Sequence, residues 1–328
     1  MGENPFVSVV IPVKNEAGIL RDCLESLSRL DYPKERLEII LADGRSTDNT
    51  KEIGLAYGVK IVTNAKGIVS SGRNRGFEEA KGELIAFTDA DCIFDVSWLK
   101  NSPKYFSDEK VAGIGGMTFA PRESSNFEKA IDFIFRLAEL FQVTSHRRGS
   151  PIAKEVKDIP GCNAIYRKEA LAKIMPIDEG LLTAEDVWMN FSLRKSGYRF
   201  ISAPDVILWH HRRSSPKKFI RQIYRFAIGR LQAGKKDSSL INIFHIFAGF
   251  GIPLIFLAFT GFYFLGATYI LCKIILCLFS ALIALSLIKT RSWITAADTP
   301  LAVIIFIASW SGGFLRELLF PLRDPAGK

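Results

Sequence analysis

Thr88-Asp89-Ala90-Asp91 carries the densest chemical signal in the chain. Two carboxylates separated by one residue can hold a hard divalent cation, Mg²⁺ or Mn²⁺, and through it a diphosphate. Such triplets also occur in ordinary surface turns, so their setting decides their meaning. Here the apolar run Leu84 to Thr88 reads as a strand that delivers Asp89 and Asp91 at its carboxyl end, the place where open α/β sheets bind ligands. Two further polar clusters follow strand-like runs in the same way: Pro12 to Glu16 after Phe6 to Ile11, and Asp43 to Thr50 after Leu37 to Ala42. The carboxylate of Asp43 can accept hydrogen bonds from a nucleobase or ribose, whereas Asp48 with Asn49 and Thr50 suits a helix cap. Glu185-Asp186 opens an amphipathic stretch, Val187 to Ser196, where acidic side chains also complement a helix dipole. Trp209-His210-His211 ends another strand-like run. Consecutive side chains of a strand face opposite ways, so one of the two histidines, His210, can complete a cation shell or bind phosphate, or else pack and hydrogen-bond.

These residues need a scaffold, and the alternation of short β-branched runs with helical periodicity supplies one. Phe6 to Ile11, Leu37 to Ala42, Val59 to Thr63 and Leu84 to Thr88 read as parallel strands. Ala17 to Arg29, Asp48 to Tyr57 and Val69 to Lys81 read as the crossover helices between them. The expected fold class is α/β, a Rossmann-like nucleotide-binding sandwich. Val111 to Phe119 reads as a later strand in which Gly113-Ile114-Gly115-Gly116 marks close backbone packing. A long helix follows from about Ser125 to Val143, mostly core-facing, and then a polar loop from Thr144 to Lys157 with Arg147 and Arg148. Loops of this length often act as lids.

Charge and hydropathy divide the chain. Of 328 residues with a formal net charge of +9, residues 205–236 hold nine basic side chains against Asp205 alone. From Ser238 to Ile288 only Lys273 is charged, and an apolar stretch of that length excludes a wholly soluble or disordered chain. The basic excess sits beside this stretch, where anionic lipid head groups would meet it, which argues against nucleic acid as the partner. Phe219, Ile223, Ala227 and Leu231 share one side of a helix whose other side carries Lys218, Arg221, Arg225 and Gln232. The expectation is an amphipathic basic helix, residues 215–238, lying on the bilayer surface. A membrane domain, residues 239–328, would follow with spans near 241–264, 267–288 and 300–320, the last opened by Thr299 and Pro300. Lys235, Lys236, Lys289 and Arg291 flank the expected cytoplasmic ends. Residues 1–214 form the remaining domain. Lacking a basic, apolar leader, it is expected in the cytoplasm of a multi-pass cell-membrane protein. The five cysteines show no metal-finger spacing and read as reduced thiols.

In order and spacing, IPVKNE, ADGRSTDNT, GRNRG at 72–76 and TDADC at 88–92 resemble the nucleotide-sugar domain of family-two glycosyltransferases with the GT-A fold. The resemblance resumes with Gly161-Cys162-Asn163 and Ala184-Glu185-Asp186, covers about two thirds of the chain, and is nearest to membrane-associated enzymes of the succinoglycan-biosynthesis type. It implies that Pro12, Asn15, Glu16 and Asp43 line the nucleoside site, with Asp43 on the base. Arg73 would lie near the diphosphate or sugar, Asp91 assisted by Asp89 would hold the metal, and Asp186 would be the general base with Glu185 beside it. Asn163 falls among the residues expected at acceptor or diphosphate. Gln222-Ile223-Tyr224-Arg225-Phe226 is similar to the Gln-x-x-Arg-Trp element of cellulose and related synthases, which would put Gln222, Arg225 and Phe226 at acceptor sugar or diphosphate. Two departures stand out: Gly44 where many relatives carry a second Asp, and Phe226 in the Trp position.

The implied activity is metal-dependent, inverting transfer of a sugar from a nucleoside diphosphate, with UDP the expected carrier, to a membrane-associated acceptor. A lipid-linked saccharide or polyprenyl phosphate is the expected acceptor, in cell-surface or glycoprotein glycan assembly. The alternative is a noncatalytic nucleotide-sugar-binding subunit of a membrane polysaccharide complex.

Overall fold

The computed structural model describes residues 2, 4–140 and 151–322. The first half of the expected polar loop, with Arg147 and Arg148, lies outside them, and the second half is not all loop but contains a short strand, Lys154–Val156. Two compact units are present, one built from residues up to 121 and from 151–210, the other from residues 122–140 and 211–322. The expected boundary at residue 214 therefore needs correction. The helix that follows Pro121 belongs with the C-terminal helices, because its apolar side is buried among them.

The first unit is a mixed sheet flanked by helices. In chain order it contains β1 (Val7–Val13), α1 (Ala17–Ser28), β2 (Leu37–Asp43), α2 (Thr50–Ala56), β3 (Lys60–Thr63), α3 (Val69–Glu79), β4 (Leu84–Phe87), β5 (Cys92–Phe94) and β6 (Val111–Phe119). After α4 (Asn126–Leu140), which belongs to the second unit, come β7 (Lys154–Val156), β8 (Ala164–Arg167), α5 (Lys168–Ala172), α6 (Glu185–Lys195) and β9 (Arg199–His210). The strand order is β3-β2-β1-β4-β8-β6-β9-β5, with β7 on β9. Strands β1 to β4 pair in parallel, as their β-branched runs predict, while β8 is antiparallel to both β4 and β6. This is a GT-A-like, Rossmann-type half sheet extended by antiparallel strands. Burial on both faces explains the near-continuous apolar runs: Val7, Val9, Val10 and Ile11 of β1 are all solvent-free.

Glycines let β6 approach its neighbours. A Cβ on Gly116 would sit 2.0 Å from the Val206 carbonyl oxygen, and one on Gly115 2.7 Å from Ile159. The expected close packing of the Gly113 to Gly116 run is therefore present.

The second unit is helical: α4, α7 (Pro216–Lys236), α8 (Ile243–Gly249), α9 (Gly251–Phe264), α10 (Thr268–Thr290) and α11 (Trp293–Leu319). Phe219, Ile223, Ala227 and Leu231 of α7 pack with Ile131, Ile134 and Phe135 of α4 and with Phe306, Trp310 and Phe314 of α11. The apolar stripe expected to meet lipid is thus covered by protein. Tyr224 and Gly313 bring the backbones of α7 and α11 together, since a Cβ on Gly313 would lie 2.2 Å from the Tyr224 oxygen. Glu317, which interrupts the third apolar run, is buried and accepts hydrogen bonds from Lys235 Nζ at 2.7 Å and from the Leu322 N–H at 3.1 Å.

Among the described residues two helices, α10 and α11, are long and apolar enough to cross a membrane, and α8 with α9 form a third such segment bent by 65°. The expected span 241–264 is therefore broken between α8 and α9. The third span starts earlier than expected: Ser292 caps α11 by accepting the Thr295 N–H at 3.2 Å, and Pro300 lies inside the helix. Beside that proline, the Thr299 hydroxyl donates back to the Thr295 carbonyl at 2.8 Å, a bond of the kind that bends a helix.

Candidate active site

The chain leaves β1 to build β2 and β3, then returns to place β4 on the other side of β1, so the switch point of the sheet lies between β1 and β4. Asn15, just past β1, adopts φ +56°, a left-handed conformation that Asn tolerates. Its N–H donates to Ser46 Oγ at 2.9 Å and its Oδ1 accepts the Thr47 N–H at 2.8 Å, joining the loops after β1 and β2. The Glu16 N–H donates to Thr50 Oγ1 at 2.9 Å. Asp48 accepts from the N–H groups of Ala17 and Thr50, both at 3.1 Å, so it serves as a structural cap at the start of both α1 and α2. Pro12 stands half-buried next to α3, where a side chain on Gly72 would meet it at 2.8 Å.

Asp43 ends β2, buried, with its carboxylate accepting the Ser46 N–H at 3.2 Å and paired with Lys51 at 3.3 Å. Gly44 is hemmed in. A Cβ there would lie 3.0 Å from Gly67 Cα, 3.1 Å from Lys14 Cβ and 3.2 Å from the Val13 oxygen. This crowding is the physical counterpart of the missing second Asp.

Asp91 and His210 are both buried, with Oδ1 of the first 3.0 Å from Nε2 of the second. The pairing register of β5 and β9 brings them together, since Cys92 lies directly opposite His210. Burial opposes charge on the imidazole, but the Asp91 carboxylate outweighs it and pushes His210 up to about 10. Asp89 is half-buried. Burial, followed by the charge of Asp91, pushes its carboxyl up to about 7. The groups that come together as donors are Asp91, Cys92 and His210, whose ligand atoms all lie within 4.8 Å of one another; Asp89 is outside that trio. The fit to a divalent cation can be judged from spacing. Adjacent ligands around an octahedral ion at about 2.1 Å stand roughly 3 Å apart, the separation of the Asp91 and His210 atoms. These two residues fit such an ion.

Helix α6 presents Glu185 and Asp186 in its first turn. Ala184 precedes them at φ +66°, a conformation costly for a residue with a Cβ and typical of functional turns. Asp186 Oδ1 accepts the Val187 N–H at 2.8 Å, and Oδ2 accepts the Gly161 N–H at 3.3 Å. Arg73 ties the two acidic groups. Its side chain is 3% exposed, with Nη1 3.1 Å from Glu185 Oε1, Nη2 donating to the Gly161 carbonyl at 3.1 Å, and the guanidinium 5.4 Å over the Phe87 ring. Burial works against its charge, but Glu185, Asp89 and Asp186 together outweigh it and raise its pKa. The Arg73 guanidinium, expected beside diphosphate or sugar, is thus sequestered by protein groups and positions the acids.

Asn163 also departs from expectation. It is fully buried, its Oδ1 accepts the Trp98 Nε1–H at 2.9 Å, and its Nδ2 donates to the Met117 carbonyl at 3.0 Å. With both ends of the amide engaged in the sheet, it is a packing residue. Gln222, Arg225 and Phe226 lie on α7 in the helical unit. Arg225 is exposed, and Phe226 is half-buried against the apolar cluster of α4, α7 and α11.

Three participants escaped sequence reasoning about roles: Gly161, Cys92 and Ala184. Gly161 has a detectable signal, because a Cβ there would lie 2.8 Å from Arg73 Nη2 and 3.0 Å from Asp186 Cβ. Thr88 fixes the same loop by donating its hydroxyl to the Cys162 carbonyl at 2.8 Å.

With this geometry in view, comparison with known proteins gives a consistent result. The family model described as "Glycosyl transferase family 2" matches residues 8–175. A Methanococcus voltae protein named dolichyl N-acetyl-alpha-D-glucosaminyl phosphate 3-beta-D-2,3-diacetamido-2,3-dideoxy-beta-D-glucuronosyltransferase is 29% identical, covering 96% of this chain and 97% of its own. Glycosyltransferase AglE of Haloferax volcanii is also 29% identical, over 74% of this chain and 78% of its own. Among solved structures, the mannosyltransferase PcManGT from Pyrobaculum calidifontis, in complex with GDP-Man and Mn²⁺, shares the fold with a TM-score of 0.66 at 19% identity. That match covers 96% of this chain and 87% of the other. The chain spanning β1 to β4, with its acidic loop after β4, is a member of glycosyl transferase family 2.

Proposed function

We propose that the chain is an inverting glycosyltransferase that moves a sugar from a nucleoside diphosphate, UDP first, to an acceptor held at the membrane. A lipid-linked saccharide is the first choice of acceptor and polyprenyl phosphate the second, in cell-surface or glycoprotein glycan assembly. The carrying observation is buried Arg73, which pairs with Glu185 and whose charge is supported by Asp89 and Asp186, so that residues of the loop after β4 and of α6 gather round one side chain. The printed name of the Methanococcus voltae relative, a transferase acting on a dolichyl-phosphate-linked sugar, supports the acceptor class.

In this reading Asp91 and His210 hold a divalent cation, Mg²⁺ or Mn²⁺, which when bound offsets charge on the diphosphate. Asp43 accepts from the base, while Asn15 and Glu16 hold the loop that borders the nucleoside. Asp186 takes the proton of the acceptor hydroxyl as its oxygen attacks the anomeric carbon. The bond from that carbon to the diphosphate oxygen breaks, its electron pair leaves with the nucleoside diphosphate, and one displacement inverts the stereocentre. Glu185 is oriented by its pairing with Arg73, beside the base. Gln222, Arg225 and Phe226 are assigned to the acceptor. The catalytic unit is assigned to the cytoplasmic face, with α7 and its exposed Lys217, Lys218, Arg221 and Arg225 against anionic lipid.

The test is a screen of nucleotide sugars against membrane lipid extracts with Mn²⁺ or Mg²⁺, repeated with Asp91→Asn and Asp186→Asn. Asp186→Asn is expected to lower transfer to a hydroxyl acceptor by about 10²–10⁴-fold while donor still binds. Asp91→Asn is expected to lose cation-dependent donor binding as well. Full transfer in either variant removes that residue from its role.

A further inference from the structure

Helix α11 is long and apolar enough to be a membrane span, yet its contacts run differently from those of α10. Half of its most apolar stretch is buried against protein, whereas α10 is almost bare and Ser286 is its buried residue. Ser286 marks where the two helices meet, since its hydroxyl shares a 2.8 Å hydrogen bond with Thr299. A span running back along α10 would next meet the middle and first turns of that helix. α11 meets the start of α9 instead. Ser311 Oγ accepts the Ile252 N–H at 3.3 Å and donates to the Gly249 carbonyl at 2.9 Å, and a Cβ on Gly251 would lie 3.0 Å from Ile307. Thr299 and Ser311 stand about 18 Å apart along the helix. α11 therefore passes beneath both feet of the hairpin formed by α9 and α10, while the far end, with Phe264, Leu265 and Tyr269, is exposed. Helix α8 shares that base: its His245 ring stacks on Trp310 at 5.8 Å before the 65° bend turns the chain into α9.

Both ends of α11 are held by helices that leave the catalytic unit. In the first turn, the Thr295 hydroxyl donates to Asn126 Oδ1, at the start of α4, at 3.1 Å. Near the other end, Glu317 accepts from Lys235 Nζ, in the last turn of α7, at 2.7 Å. The chain reaches at most about 18 Å from Pro121 to Asn126 and about 22 Å from His210 to Pro216. Neither stretch can cross about 30 Å of hydrocarbon, so α4 and α7 begin on the catalytic unit's side. α7 also ends there, because Lys217, Lys218, Arg221 and Arg225 are exposed along it, and charges facing mid-bilayer lipid are strongly destabilising. Both ends of α11 accordingly lie on that side.

We propose that α11 is not a span: it lies along the bilayer surface on the catalytic unit's side, and the hairpin of α9 and α10 alone enters the hydrocarbon. Ile294, Leu301, Ile304 and Leu319 form one exposed apolar stripe on α11, the pattern of a helix that lies in an interface. Lipid is the occupant of that stripe because α11 crosses the base of a hairpin that is itself bare and apolar, so the bilayer surface meets α11 where the hairpin goes in. This placement goes beyond the proposed transfer reaction and is the same for either acceptor.

The experiment uses the full chain carrying Cys272→Ser and Cys277→Ser, which removes the exposed thiols of α10 and leaves Cys23, Cys92 and Cys162 buried. Reporter thiols are added singly as Leu55→Cys, exposed on α2 in the catalytic unit, and Leu322→Cys, beyond α11. In sealed inside-out and right-side-out vesicles, a membrane-impermeant maleimide is expected to reach both reporters from the same side. Reaction of Leu322→Cys from the side opposite to Leu55→Cys overturns the proposal. Depth gives a second readout. Spin labels on Ile294→Cys and Ile304→Cys of α11 and on Leu278→Cys of α10 are compared in phosphatidylcholine–phosphatidylglycerol liposomes, by collision with oxygen and with a water-soluble nickel chelate. Ile304 lies near the middle of α11, so a span would carry it to the bilayer centre, about 15 Å down. Its expected depth is instead close to that of Ile294, with nickel collisions several-fold more frequent than at Leu278. A label at Ile304 as deep as the one at Leu278 overturns the proposal. Neither readout depends on sugar transfer, so an inactive chain with both labels placed as expected sinks the transferase reading and leaves this one standing.

Discussion

Replacing Arg73 with Met removes a cation that ties Glu185 to the loop of Gly161 and keeps most of the side-chain volume. The guanidinium pairs with Glu185 at 3.1 Å and with the Gly161 carbonyl at 3.1 Å, and the two side chains are 3% and 13% exposed. Breaking a buried pair from one side costs about 3–5 kcal/mol, because the remaining charge is left uncompensated. Glu185 retains some access to water, so the lower end, about 3 kcal/mol, is the expected loss. At about 2–4 °C per kcal/mol for a domain of roughly 150–250 residues, the unfolding midpoint of the catalytic unit should fall by about 6–12 °C. Neutralising both partners in Arg73→Met, Glu185→Gln should restore most of that loss, with a coupling near the top of the roughly 0.5–3 kcal/mol range. Thermal unfolding of the full chain in detergent, measured for the wild type, both single variants and the double, gives each number. A midpoint lowered by less than about 2 °C in Arg73→Met, or a double variant equal to the sum of the singles, refutes the claim that this pair holds the acidic groups in place.

Gly161→Ala places a Cβ 2.8 Å from Arg73 Nη2 and 3.0 Å from Asp186 Cβ. If Asp186 is the proposed base, its displacement by a fraction of an ångström to about 1 Å predicts a kcat loss of up to about 10²-fold with donor KM unchanged, read from steady-state kinetics. Gly313→Leu drives a side chain into the Tyr224 carbonyl, 2.2 Å from the Cβ position. It should cost about 1–3 kcal/mol or more by overpacking, seen as an earlier melt of the helical unit with nucleotide binding retained. Asp132 of α4 is buried, accepts from Arg212 Nη2 at 3.0 Å and also pairs with Arg136. Burial pushes its carboxyl up, but Arg212 and Arg136 outweigh that and hold it below the usual carboxylate range. Its folded pKa is depressed, so its contribution is complete above the unfolded value of about 3.9 and is lost as pH falls through the folded value. Asp132→Asn should therefore melt lower than wild type near neutrality, with the gap closing only in acid below about pH 4; a gap independent of pH contradicts the pairing.

How much of this was legible in the sequence depends on whether a residue's neighbours are local. The runs Leu37 to Ala42 and Leu84 to Thr88 appear as β2 and β4 almost residue for residue, because parallel strands buried on both faces need continuous apolar sequence. The Asp43 and Asp89 clusters fall at the same sheet edge because parallel strands share a direction. The helical unit was harder to read. An apolar stripe such as Phe219, Ile223, Ala227 and Leu231 has the same periodicity whether lipid or protein covers it. Only the packing of α4 and α11 decides in favour of protein. Pro300 misled for a related reason. Proline suits a first helical turn, but Ser292 caps the helix earlier and Thr299 bonds back to Thr295. Asn163 sits in a recognisable motif, yet its amide holds Trp98 and β6, distant partners that no local pattern reveals.

The least legible feature is the one the chemistry needs most. The proposed reaction needs the acidic cluster after β4 and the acidic pair of α6 near one carbon, and carboxylates gathered together repel each other. Buried partners ease that repulsion: Arg73 pairs with Glu185 and its charge is supported by Asp89 and Asp186, while the His210 imidazole stands 3.0 Å from Asp91. In the sequence, Arg73 sits between Gly72 and Asn74 and looks like a solvated helix start. Its role follows from Gly72 and Gly76, which let α3 lie close enough to β1 that added Cβ atoms would touch Pro12 at 2.8 Å and Val10 at 2.2 Å. That close approach turns Arg73 inward across the Phe87 ring toward Gly161 and Glu185. The glycines of GRNRG therefore serve helix-to-sheet packing, and Arg73 between them turns inward to pair with Glu185.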